Sequence, residues 1–441
     1  MGLVTGICLS SIGHQVTLVD RNAERVRSLQ EGQLPIYELY LDSLFRRSRA
    51  ERTLVISHDW GQAAADAEAI FLCVGVPQLE SGDSDFSALD SAARQIARGA
   101  NSPILIVVRS TVPVQTGKKL KHLLTVYRDN PGFRLIVASN PQFLREGAAV
   151  EDFLHPDHIL FGVEDSLSER ILRDIYASVL ERNFRCPVHS LGCPPRKLPE
   201  LIITSIQSAE LIKHTSNAFL AVKISYANVL ADLCERLGAN VLEVTRAIGL
   251  DPRIGPRFLN PGIGFGGSKL PKDLRAFCHL AESAGVEAGI LHAAEEVNRN
   301  RVDHFFEKVQ SSLWVLRDKC IGLLGLAHKA DTDDIRGSPA IDLFKRFAAA
   351  GARVRAYDPR AMDQARSAHP EMIFGADAYD VAERADALVI STDWSEFREL
   401  DWMRVHDVMA RPCVFDGRNL LSPSRMKELG FEYYSVGRPG S

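Results

Sequence analysis

Lys213 and Asn217 stand four residues apart in Glu210-Leu211-Ile212-Lys213-His214-Thr215-Ser216-Asn217. On a helix that spacing puts an ammonium and an amide on one face, one above the other. Two such groups aimed at one hydroxyl suit the orientation of an alcohol. Asp20 follows the apolar run Val16–Val19. From the end of a second strand a carboxylate hydrogen-bonds the adenosine ribose, which favours NAD over NADP. Glycines crowd the stretch Gly262 to Gly267. Backbone without side chains there approaches a ligand closely.

Positioning them takes a sheet and a long helix. Leu3 to Ile12 reads as a helix ending at Gly13, and Val16–Val19 as a strand. Apolar runs recur at Ala69–Val74, Ile104–Val108, Leu135–Ala138 and Ile159–Val163, with helical stretches between. That alternation predicts an α/β fold, a parallel sheet with helices on both faces. From Ser208 to Leu237 there is no Pro or Gly, so one long helix is expected. More helix follows from Val241, and from Lys272 to Gln310 with a break near Gly285. Cys320–Gly325 then reads as a strand running into a Gly turn, with further strands at Val354–Tyr357 and Ala387–Ile390. The expected architecture is two Rossmann-like doubly wound domains, 1–205 and 316–441, joined by a long-helix central domain, 206–315. A chain of 441 residues is too long for one core.

The first domain is unusual. A dinucleotide fingerprint needs a strand, a Gly-x-Gly-x-x-Gly turn, a helix, a second strand and an acid. Here the helix, the second strand and Asp20 are present, while the first strand and first two glycines are missing. Strands flanking that place should lose their ladder partners. We read the missing piece, about ten residues, as a start assigned too late. A truncated product that no longer binds the dinucleotide is the alternative.

Bulk properties exclude several classes. Composition is ordinary for a globular chain, 46% hydrophobic and 24% charged. Net charge is −4 with no long basic run, which argues against nucleic acid or an anionic membrane as partner. Apolar runs fall far short of the roughly 20 residues that span a bilayer, and no Lys or Arg precedes Arg21, so a signal peptide is not expected. The eight cysteines form no Cys-x-x-Cys pair, so neither a metal site nor a disulfide framework is expected, and a reduced, cytoplasmic setting fits.

The run Gly264-Phe265-Gly266-Gly267-Ser268-Lys269-Leu270-Pro271-Lys272-Asp273 resembles the catalytic loop of the UDP-glucose/GDP-mannose dehydrogenases. The resemblance extends from Gly2 to about Leu420. It is strongest at Ser110–Val114, Ala138–Phe153, Ala209–Phe219, Arg253–Asp273, Gly325–Pro339 and Phe415–Arg418. It implies two NAD-dependent oxidations of a sugar primary alcohol, the second through a thiohemiacetal on a cysteine. It implies cofactor contacts from Gly2 in Gly2-Leu3-Val4-Thr5-Gly6, Asp20, Arg25, Val76, Thr111, Glu146, Lys272 and Arg336. Lys213 and Asn217 would hold the oxyanion and water near C6, and Asp273 would act with that water as a base. Phe143, Leu144, Arg253, Phe258, Gly266, Lys329 and Arg418 would contact a UDP-sugar, with Arg253 reaching in from a neighbouring subunit. Lys329, Arg336 and Arg418 would lie near the diphosphate, which suits cations. A homodimer through the central helices is implied, and the Arg253–Leu259 and Phe415–Arg418 segments favour UDP-glucose.

The chain departs from that pattern at the chemistry. Lys269 stands at the nucleophile position, and Gln142 at the position of a catalytic glutamate in Asn140–Gly147. Val76, His328 and Gly337 are further departures, and the insert around Cys193-Pro194-Pro195-Arg196-Lys197 is longer than the family's link. An amine adds to an aldehyde as a carbinolamine or imine, but oxidising that adduct gives an amide that hydrolyses too slowly for turnover. Lysine is also mostly protonated near neutral pH, its reference pKa being about 10.4. Three functions stay open: oxidation that stops at the aldehyde or proceeds without a covalent step, a sugar-binding homologue or partner subunit without activity, and a full four-electron enzyme.

Overall fold

The computed structural model describes residues 1–77, 84–128, 132–186, 188–189, 193 and 197–439. Pro194, Pro195 and Arg196 of the long insert lie outside the described residues. The chain forms two compact units, Met1–Thr215 and Ser216–Ser441.

In the first unit the strands Ala69–Leu72, Ile104–Val108, Leu135–Ser139, His158–Gly162 and Glu200–Thr204 form one sheet in that order. The all-apolar strand Ile104–Val108 is buried along its whole length, as a strand covered on both faces must be. Each such Val, Leu or Ile contributes about 1.5–3 kcal/mol of burial. Leu135–Ser139 meets His158–Gly162 antiparallel through the single pair Ser139↔Gly162. The sheet's other pairings are parallel, as the alternation predicts. The connection between the two antiparallel strands carries the six-residue helix Ala149–Leu154.

The interruption expected in this sheet is present. Val16–Val19 pairs in parallel with Leu54–Ser57 in a separate two-stranded sheet, and among the described residues it makes no ladder with Ala69–Leu72. The helix Gly2–Ser11 packs beside Val16–Val19. Gly6 permits the approach, because a Cβ there would overlap Leu18. Helices in this unit start where the sequence supplies caps. Asn22, Asp59 and Asp165 accept from the backbone N–H groups of Arg25, Gln62 and Ser168, each cap contributing about 1 kcal/mol.

In the second unit six parallel strands run in the order Ile373–Phe374, Arg353–Tyr357, Cys320–Leu324, Ala387–Ile390, Cys413–Asp416, Glu432–Ser435. By chain order that is third, second, first, fourth, fifth, sixth, the doubly wound arrangement. The sheet is faced by the helix Pro339–Ala349, with Ser338 as N-cap and Pro339 in the first turn. The helices Val241–Gly249, Leu270–Ser283 and Gly289–Leu313 belong to the same unit. Phe305, Val309 and Leu313 of the last join the core formed by Ile321, Leu323, Phe347 and Phe415. The helix Ile206–Leu237 is unbroken through 32 residues, as the absence of Pro and Gly predicts.

Candidate active site

In the first unit Asp20 ends the strand Val16–Val19, and its Oδ2 accepts from Arg25 Nη1 at 2.9 Å. Both residues expected beside the adenosine are thus joined to each other. Gly2 opens the helix Gly2–Ser11, which carries no side-chain cap and no acidic residue in its first turn. Such an N-terminus presents backbone N–H groups suited to a phosphate. Val76 is buried and Thr111 half-buried near the ends of adjacent strands. Neighbouring Ser110 donates its hydroxyl to Val74 O at 2.5 Å.

The loop Asn140–Gly147 is held by residues that no sequence pattern singled out. Asn140 donates to Leu160 O, and its Oδ1 accepts from Arg109 Nη1 at 2.5 Å and Tyr176 Oη at 2.6 Å. Glu38 is buried, and its two oxygens accept from Gly147 N and Ala149 N, both at 2.9 Å. Gln142 is buried in this loop. Leu144 packs against the core, and Glu146 is half-buried. Phe143 lies 4.6 Å from the His158 ring, and Lys213 Nζ sits 4.9 Å over Phe143. Burial holds the His158 imidazole below its ordinary pKa, and the nearby Lys213 charge acts in the same direction.

In the second unit Asn217 Nδ2 donates to Asp273 Oδ2 at 2.5 Å. Asp273 is buried in the first turn of Leu270–Ser283, and Lys269 is the N-cap residue of that helix. Burial pulls the neighbouring Lys272 ammonium below its ordinary pKa, partly offset by Asp273. Cys278, on the same helix, is buried, and desolvation with Glu295 and Glu282 nearby pushes its thiol up to about 11. It is therefore a thiol near neutrality and no substitute for a thiolate nucleophile.

The glycine-rich loop before this helix is fixed by its backbone. Gly262 N donates to Asn228 Oδ1, and Asn298 makes a two-way pair with Phe265, at 2.7 and 3.0 Å. Gly267 N donates to Arg336 O at 3.0 Å. A Cβ on Gly266 would overlap Gly337 O, so close approach demands glycine there.

Arg418 ties this loop to the sheet. It donates through Nε to Ser391 O at 2.8 Å and through Nη1 to Gly264 O at 3.1 Å. Ser391, His328–Lys329 and Arg418 all follow carboxyl ends of strands, where a doubly wound sheet binds its ligands. Lys329 is half-buried there. Arg336 grips Asp334 with both arms, at 2.8 and 2.7 Å. Burial alone would raise the Asp334 carboxyl, but bonds from Arg336 outweigh it and hold it below the usual range.

A cleft of about 500 Å³ opens beside the loop. Lys272, Arg275, Arg299, Arg336 and Arg346 line it against only Glu295 and Asp342. That excess of cations suits a diphosphate. Phe258 has a left-handed backbone, φ 63°, while Arg253 is largely exposed and paired with Asp251 at 2.6 Å.

An interrupted α/β unit with a ribose-type acid, and a second α/β unit with a cationic cleft beside a glycine-rich loop, define a dinucleotide-dependent dehydrogenase architecture. Residues 1–180, 207–300 and 322–423 match the NAD binding, central and UDP binding domains of the UDP-glucose/GDP-mannose dehydrogenase family, to which the chain belongs. A UDP-glucose 6-dehydrogenase of Rhizobium meliloti is 39% identical over 443 residues, spanning 100% of this chain and 98% of that protein. One from Rickettsia felis is 38% identical over 440 residues, 99% of this chain and 94% of that protein. The structure of a UDP-glucose dehydrogenase from the archaeon Pyrobaculum islandicum superposes with a TM-score of 0.88 at 32% identity, covering 99% of this chain and 95% of that one. NAD is the cofactor of this family's first domain.

Proposed function

We propose that the chain oxidises C6 of a UDP-hexose, UDP-glucose being favoured, with NAD as acceptor, and releases the 6-aldehyde. The observation that carries this reading is the Asn217–Asp273 hydrogen bond beside Lys269 at one helix start. It retains the groups for the first oxidation at the place where the family sets its cysteine. Membership in a family whose members include UDP-glucose 6-dehydrogenases supports the substrate class.

The residues fit NAD. Asp20 and Arg25 take the adenosine ribose, the uncapped helix start at Gly2 and the segment of Val76 and Thr111 take the pyrophosphate side, and Glu146, Lys272 and Arg336 complete the contacts. NAD supplies the hydride acceptor. Lys213 and Asn217 would orient the C6 hydroxyl and hold a water beside it, and Asp273 would act with that water as the base that takes the hydroxyl proton. Phe143, Leu144, Phe258 and Gly266 shape the sugar site, and Lys329 and Arg418 hold the diphosphate. Lys269 does not support the next step, because the adduct of an amine cannot be opened by water after oxidation. Gln142 adds to the block, since an amide cannot act as the hydrolytic base.

The division near residues 205 and 315 is our reading of the domain limits. A homodimer is supported by Phe219, Tyr226 and Leu233, which are 62%, 55% and 48% exposed at seven-residue steps on one helix. Arg253 would then reach the partner's substrate. No described helix is long and apolar enough to cross a membrane, and we place the protein in the cytoplasm.

The test is the number of NADH formed per UDP-glucose consumed, with mass spectrometry of the product. One NADH and a free aldehyde is the expected result. Two NADH and UDP-glucuronate would overturn the arrested mechanism. Binding of UDP-glucose without NADH would mark a sugar-binding homologue instead.

A further inference from the structure

The cysteine spacing gives no reason to expect a metal, yet the first unit gathers two cysteines and two histidines. Cys186, His189 and Cys193 lie between the helix Ser166–Glu181 and the strand Glu200–Thr204. His155 follows the helix Ala149–Leu154 and is 6% exposed. One ligand atom from each of the four lies within 4.8 Å of all the others. His155 Nε2 is 3.1 Å from Cys186 Sγ and 3.5 Å from Cys193 Sγ, and Cys186 Sγ is 3.4 Å from His189 Nδ1. The two imidazoles meet edge to face, with centroids 5.2 Å apart, and Phe184 packs 5.7 Å from His155.

These separations are those of ligands around a shared centre. Tetrahedral zinc with Zn–S near 2.3 Å and Zn–N near 2.0–2.1 Å places S and N roughly 3.6 Å apart. All three measured distances fall within about half an ångström of that edge. Two thiolates and two imidazoles select zinc over the hard cations, and four protein ligands leave no open position for chemistry.

We propose that His155, Cys186, His189 and Cys193 bind one zinc ion as a closed structural site. It would pin the long connection after Ser166–Glu181 to the end of Ala149–Leu154. That connection leads into Glu200–Thr204, which ends the sheet order and pairs with His158–Gly162, three residues beyond His155. An anchored connection fixes where the edge strand enters the sheet, and a metal clip across such a loop stabilises by restricting the unfolded chain.

The test is elemental analysis of the untagged full chain, produced with zinc and purified without chelator. About one zinc per chain is expected, with most of it lost in Cys186→Ser and Cys193→Ser. Cobalt added to chelator-stripped protein should give thiolate-to-metal charge transfer and the strong visible absorption of a tetrahedral site. Stripping should lower the melting temperature, and zinc alone should restore it. His189→Ala, at a half-buried position outside helix and strand, serves if the cysteine variants do not fold. A metal-free chain with a melting curve indifferent to zinc would overturn the proposal. So would zinc content unchanged by the substitutions, or a Cys186–Cys193 disulfide seen as a peptide lighter by a pair of hydrogens. None of these readouts depends on dehydrogenase activity.

Discussion

In the reaction we propose, Lys269 sets the chemical limit, and its place at a helix N-cap makes that proposal testable. A cysteine there would face the positive end of the helix dipole, which lowers a thiol pKa. Lys269→Cys combined with Gln142→Glu is therefore expected to raise the yield of UDP-hexuronate, read by mass spectrometry of the product. No gain would place the block elsewhere. Arg418 works through geometry. Its fork reaches Ser391 O and Gly264 O together, which a lysine cannot reproduce. Arg418→Lys should cost about 1–3 kcal/mol of stability and weaken UDP-glucose binding by roughly tenfold or more, measured by melting and calorimetric titration.

At the scale of elements, buried carboxylates hold helix starts. Glu210 accepts from Gln115 N and Gly117 N, both at 2.7 Å, at the start of Thr116–Tyr127. Burial raises its pKa to about 7, with the two backbone bonds acting against the shift. The folded state then holds the proton more tightly than the unfolded chain. The stability this contributes is full below about pH 4.5 and is lost as pH rises through about 7. The unfolding free energy of the wild type minus that of Glu210→Gln should fall across that window, by at most about 1.4 kcal/mol per pH unit. A flat difference in pH-dependent denaturation would contradict the assignment. Glu38 serves Gly147 and Ala149 similarly. Glu38→Ala should cost about 1–3 kcal/mol through two buried donors left without their acceptor, seen as a lower denaturation midpoint.

For the whole molecule the decisive surface is the stripe Phe219, Tyr226, Leu233. Seven-residue steps keep all three on one side of a straight helix, where a second copy would cover them. Phe219→Asp with Tyr226→Asp should convert a dimer to a monomer in light scattering. Arg253 would then lose its proposed role across the interface, so activity should fall with dimer content. Activity held by the monomer would exclude that role.

The sequence by itself determined the elements. The Pro- and Gly-free run to Leu237 made one helix, apolar runs made the buried strands, and the alternation of the two required doubly wound sheets. A break in the first sheet was legible too, because a fingerprint has fixed parts, and Val16–Val19 stands in a separate sheet. The strands Cys413–Asp416 and Glu432–Ser435 were not legible, since a charged residue at one end of each shortens its apolar run. Contacts between distant positions belonged to the tertiary structure alone. Glu38 meets Gly147 across 109 positions, Arg418 meets Gly264 across 154, and His155 meets Cys186 across 31. Local sequence fixes backbone propensity and the face a side chain takes, but only packing decides which faces meet.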